Sequence, residues 1–120
     1  MIHIKSFNSN GRGAYDISSL AKDVIEKEKV KDGLLIISVL NQLCALTMIE
    51  YEVNLIHDLG KLINEIPSEN DFVKLSLFQK SLVVPITDGD LFLGSFQQIT
   101  LIDLNKDAGE RGLAFMVITK

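Results

Sequence analysis

Few residues in this chain could do chemistry near neutral pH. Its 120 residues include two histidines, His3 and His57, and a single cysteine, Cys44. Imidazole titrates near neutrality and its neutral nitrogen binds transition metals, so a metal or proton-shuttle site usually brings several such residues together at short spacing. Here they are scattered, and neither a metal site nor a cofactor is expected. Cys44 lies in an apolar run, where a thiol reads as a small buried hydrophobe rather than a nucleophile. His57 falls off the apolar stripe of its segment and His3 sits on an edge-like first strand; both read as surface or satisfied side chains. Glu50 and Glu52 would share one face if their strand ran that far, which would make a paired-carboxylate site; a solvated strand end is the plainer reading. Gly89 and Gly94 are turn and bulge glycines rather than a phosphate loop, since no helix N-terminus follows them.

The elements that must position these residues are legible from periodicity. Ile2 to Phe7 alternates as a first strand, and Asn8-Ser9-Asn10-Gly11 is turn chemistry. Asp16 is a candidate N-cap for a helix carrying Ile17, Leu20, Ala21, Val24 and Ile25 on one face, with Asp32-Gly33 as its stop. Gly33 to Leu40 is short, apolar and β-branched, as in a buried strand, and Leu43 to Ile49 resumes as another. From Glu52 to Ile66 the period turns helical, with Leu55, Ile56, Leu59, Leu62, Ile63 and Ile66 in one stripe closed by Pro67. Gly60 inside that helix costs about 1 kcal/mol relative to Ala, and a close contact is the reading that would excuse it. Phe72 to Lys80 is ambiguous between helix and strand. Phe96 to Leu104 and Leu113 to Thr119 complete the strands, with a polar loop from Asn105 to Gly112. About six strands and two or three helices, not strictly alternating, predict an α+β fold with a mixed, mainly antiparallel sheet.

Length and composition bound the rest. One domain spanning residues 1–120 is expected, and 47% hydrophobic with 23% charged residues suits a globular chain. A net charge of −4 argues against a general nucleic-acid binder. The longest apolar run, Gly33 to Ile49, is interrupted by Asn41-Gln42 and is short for a membrane span. A lone cysteine and a polar, mixed N-terminus fit a cytoplasmic protein.

The stretch from Ser81 to Ile99 carries the most specific pattern. Leu82 to Thr87 is β-branched and apolar, with Pro85 confining it to an edge or irregular strand. Asp88-Gly89 suits a two-residue type I′ turn, and Gly94-Ser95 allows a bend before the next strand. In this frame Ser81, Val84, Pro85, Ile86, Gly89, Gly94, Gln97 and Ile99 resemble the signature of the YjbQ family, whose members are associated with a secondary thiamine-phosphate synthase activity. Ser95 and Phe96 stand where that family has Thr and Trp. Arg12-Gly13 with Asp16-Ile17-Ser18 is similar to the family's entry to its first helix, and Asn41 to Glu50 lies along its His-Thr-Thr-Ala-Ala-Leu-Thr-Ile-Asn-Glu segment. The segments together span most of the chain.

The departures from the family fall at its reactive positions. Asn41 replaces one family His and Phe72 another, with Lys74 retained beside it. The loop after Pro67 is too short to hold the third. Arg111 matches the family's terminal Arg loosely. Asn hydrogen-bonds but cannot shuttle a proton, and Phe does neither. The resemblance therefore implies a divergent, short YjbQ-like chain that keeps the fold and a homotrimer but has lost catalysis, acting as a binding or assembly protein. The alternative is an active enzyme on a small phosphorylated substrate. For the active enzyme the resemblance gives Glu50 and Gln97 as catalytic candidates, and in either case it gives Asn41, Glu50, Lys74, Ser95, Gln97 and Arg111 as ligand contacts, in sites near subunit boundaries.

Overall fold

The computed structural model describes residues 2–120. The described residues form eight strands and three helices: β1 (Ile2–Ser9), β2 (Gly13–Asp16), α1 (Ser18–Glu28), β3 (Gly33–Val39), β4 (Cys44–Glu50), α2 (Val53–Glu65), α3 (Asp71–Leu75), β5 (Ser81–Thr87), β6 (Asp90–Leu91), β7 (Gln97–Asp103) and β8 (Gly109–Thr119). They build two antiparallel sheets, one ordered β1-β8-β3-β5-β6 and the other β2-β7-β4. The fold is α+β, as expected, with its strands divided between two sheets rather than gathered in one.

The main core lies between the sheets. Leu35, Ile37, Val84, Leu113 and Phe115 of the large sheet meet Leu46, Ile99 and Leu101 of the small one, and α1 adds Ile17, Ala21, Val24 and Ile25. A second core covers the other face of the small sheet, where Ala45, Ile102 and Leu104 pack with Ile63 of α2 and Leu75 of α3. The small sheet is thus covered on both faces. This is why β7 runs buried without alternation from Ile99 to Asp103.

Several boundaries differ from the sequence reading, each for a local reason. Helix α1 ends at Glu28, where Lys29 takes a left-handed conformation (φ 53°) and its N–H reaches back to Glu26. Gly33 therefore does not end the helix. A Cβ there would lie 2.1 Å from the Ile118 carbonyl oxygen, so the glycine permits close approach of β3 to β8. Asp16 belongs to β2; Ile17 occupies the cap position, while the Asp16 carboxylate accepts from the Ser18 N–H at 2.9 Å. Asn8 and Ser9 extend β1 instead of turning, because their partners Glu110 and Gly109 already belong to β8. That same pairing makes the second half of the expected loop before Leu113 a strand. The ambiguous Phe72 segment is a short helix, capped by the Asn70 side chain on the Phe72 and Val73 amides. Phe96 is not in a strand: at φ 62° it forms the bend that precedes β7. The hairpin turn at Asp88-Gly89 has positive φ at both positions, 53° and 79°, as a type I′ turn requires. Strand β5 has a neighbour on its second side only at Ile86 and Thr87, so Pro85 sits where that side of the strand is nearly an edge.

Candidate functional site

The inner face of β7 alternates Ile99, Leu101 and Asp103, which places a carboxylate in line with two fully buried aliphatic side chains. Asp103 is 0% exposed, and four elements converge on it. Oδ2 accepts from Ser9 Oγ at the end of β1 (2.5 Å) and from Arg111 Nε near the start of β8 (2.7 Å). Oδ1 accepts from the backbone N–H of Asn105 (2.9 Å), from its Nδ2 (2.7 Å) and, weakly, from the Cys44 thiol at 3.5 Å. Asn105 Nδ2 also reaches Asn41 Oδ1 at 3.0 Å, and that oxygen accepts the Leu43 N–H at 2.9 Å, which shapes the β3–β4 turn. Arg111 spends its other nitrogens on the carbonyls of Asp107 (2.5 Å) and Glu110 (3.4 Å). Lys80 closes the neighbouring turn through the carbonyls of Gln42 and Cys44.

The electrostatics follow from these contacts. Burial by itself would push the Asp103 carboxyl up, but the hydrogen bonds from Ser9, Asn105 and Arg111 outweigh it and hold the group below the ordinary carboxylate range. Burial first, and then the Asp103 charge and hydrogen bond, raise the Cys44 thiol to about 12, against lowering by Arg111 and Lys80. Asp103 is therefore a fixed anion and Cys44 a fixed thiol near neutral pH. Such a corner can hold a loop and present an amide, but it has no group poised to exchange a proton there.

Of the residues singled out in the sequence, Asn41 and Arg111 meet in this corner through Asp103 and Asn105. Glu50 and Gln97 do not join them. They face each other in register at the far end of the small sheet, six residues along β4 from Cys44 and roughly 20 Å away. Both are exposed, as is Ser95 in the preceding bend. Lys74 lies in α3 with its side chain largely covered. The paired-carboxylate arrangement does not form: β4 ends at Glu50, and Glu52 caps α2 by accepting the Leu55 N–H at 3.2 Å. His57 is exposed beside Asp58, and His3 Nε2 lies 2.6 Å from Glu28 Oε1, joining β1 to the end of α1. Among the described residues, no three His, Cys, Asp or Glu side chains come together as a metal-binding group. Asp103, Ser9 and Asn105 are absent from the sequence-based candidates. The period-2 placement of Asp103 behind Ile99 and Leu101 is the signal that could have found them, since a carboxylate on a buried face must have partners.

The comparisons with known proteins follow the same architecture. A protein-family model described as UPF0047 protein YjbQ-like matches residues 2–120. The chain belongs to this YjbQ-like family. A YbjQ-like protein of unknown function from Sulfolobus solfataricus P2 superimposes with a TM-score of 0.87 at 20% identity, covering 100% of this chain and 99% of that one. An uncharacterised conserved protein of the YjbQ/UPF0047 family from Clostridium acetobutylicum gives 0.86 at 20% identity, over 97% and 99% of the two chains. A hypothetical protein from Aeropyrum pernix K1 gives 0.85 at 19%, over 98% and 99%. At these identities the likeness establishes the YjbQ-like fold and leaves activity to be argued from the residues. No curated protein matches the chain.

Proposed function

We propose that this chain is a YjbQ-like protein that has lost acid–base catalysis and serves as a binding or assembly subunit in a homotrimer. The observation that carries this reading is the saturation of the Asp103 corner. Asn41, which stands where the family resemblance places a His, has its side-chain oxygen engaged by Leu43 and Asn105. Arg111, a candidate ligand contact, is 6% exposed and committed to Asp103 and two carbonyls. An arginine so engaged has little left to offer a phosphate. The assembly part of the reading is supported by the outer face of the large sheet. Its rows read Leu34, Ile118 and Pro85, then Ile2, Met116, Ile36 and Val83, then Ile4, Ala114, Ser38 and Ser81. None of these side chains is charged, and Ile4 is 64% exposed. An apolar sheet face of this kind favours burial against further copies of the chain.

The deciding experiment is a thiamine-phosphate synthase assay of the unmodified protein, with Glu50→Ala and Gln97→Ala as controls against a contaminating enzyme. Losing a positioned acid or base costs about 10²–10⁴ in rate, and losing several cooperating groups removes most measurable catalysis. The expected result is no detectable turnover by a folded protein. Turnover abolished by either substitution would instead establish an active enzyme on a small phosphorylated substrate, working from the exposed Glu50–Gln97 end.

A further inference from the structure

The apolar stripe of α2 is only partly used by the chain's own core. Ile63 is buried, whereas Leu55 and Leu62 stay exposed and Ile56 and Leu59 are half-buried. Beneath the helix, a cleft of about 240 Å³ opens between α2 and the β2–β7 side of the small sheet. Its apolar walls are Ile56, Leu59 and Ile63 from the helix, with Ile102 and Leu104 from the sheet. A cavity near 150 Å³ holds a benzene ring, so this space suits one ring or a short chain with room for a polar head. The glycine left unexplained by the sequence lies on this cleft. A Cβ on Gly60 would meet no atom within 4 Å, so no internal contact requires glycine at that point of the helix. What its bareness does is leave the cleft uncovered.

The polar end of the cleft is Arg12, from the turn before β2. Its side chain is 41% exposed and its guanidinium loosely held, with Nη1 at 3.2 Å from Asp71 Oδ2 and 3.5 Å from the Leu104 carbonyl, and Nη2 at 3.3 Å from Asn64 Oδ1. A guanidinium has five N–H donors in a fork matched to a carboxylate, so donors remain for an incoming anion. We propose that this cleft binds a small organic carboxylate, its ring or short chain between α2 and the small sheet and its carboxylate on Arg12. The site is separate from the Asp103 corner, because Ile102 and Leu104 belong to the core under α2 whereas Asp103 bonds to residues of the large sheet on the opposite face.

The test is an NMR amide-shift titration of the full chain with benzoate, and in parallel with benzyl alcohol as a neutral probe of the same body. Saturable shifts centred on Gly13, Ala14, Gly60 and Asn64 are expected for benzoate, with weaker binding of the alcohol. Arg12→Met should weaken benzoate at least tenfold and change the alcohol less than threefold. Asp71→Asn, which frees Arg12, should tighten benzoate several-fold, and this variant keeps the proposal testable should Arg12→Met fail to fold. Gly60→Met should block both probes. Absence of saturable shifts in the cleft, or benzoate binding indifferent to both Arg12→Met and Asp71→Asn, would overturn the proposal. So would shifts of the same cleft amides on diluting the protein without any probe, which would make the occupant a second copy of the chain.

Discussion

Asp103 shows how one side chain can hold several elements. Its carboxylate joins the end of β1, the β7–β8 loop and the start of β8, and through Asn105 it steadies the turn at Asn41. Asp103→Asn would leave Arg111 as a buried charge without its partner, and breaking a buried pair in this way costs about 3–5 kcal/mol. Urea unfolding at pH 7 should show that loss. The pH dependence has a definite sign. A carboxyl whose folded pKa lies below its unfolded value, about 3.9 for Asp, contributes its full stability above that range. The contribution is lost as pH falls from about 4 through the lower folded value. The stability difference between wild type and Asp103→Asn should therefore be constant from pH 5 to 7 and narrow at more acid pH. A difference that widened on acidification would mean that Asp103 is not the stabilising anion.

At the scale of elements, two glycines that look alike in the sequence do opposite things. Gly33 lies where β3 approaches β8 so closely that a methyl group would collide with the Ile118 carbonyl oxygen. Gly33→Ala should destabilise by about 2 kcal/mol or more, since backbone on both sides must move. Gly60 has open space around it, and Gly60→Ala should stabilise by about 0.5–1 kcal/mol through helix propensity and a less free unfolded chain. Thermal melts of the two variants should shift in opposite directions. Helix α2 also shows why an amphipathic stripe does not by itself measure burial. The period identified the helix and its apolar face, but only Ile63 reaches full burial, packed with Ile102 and Leu104 of the small-sheet side, while Leu55 and Leu62 stay exposed.

For the whole molecule, the contrast between the two faces of the large sheet is the informative feature. The inner face is closed by the small sheet and α1. The outer face carries no charge across the three rows from Leu34 to Ser81. Light scattering at micromolar concentration is expected to give about three times the 13.3 kDa chain mass. Ile4→Lys together with Ile118→Lys should reduce the mass to that of the single chain while its circular dichroism stays that of the folded chain, because both side chains are exposed in the isolated chain. Its melting temperature should fall by the stabilisation that subunit association gives the wild type. A wild-type chain that stays monomeric on concentration would remove the assembly reading.

The family frame and most elements were legible in the residues, because periodicity, the Asp88-Gly89 turn and the Glu52–Pro67 helix limits are local properties. Distance through space was not. Asn41 and Glu50 are nine positions apart and looked like parts of one pocket, yet an extended strand between them carries them to opposite ends of a sheet. Asp103 and Ser9 are ninety-four positions apart and meet at 2.5 Å. Local sequence determined which segments became strands and helices. Only the stacking of two sheets decided which polar residues would be sealed together, because burial and partner choice depend on what each face is packed against.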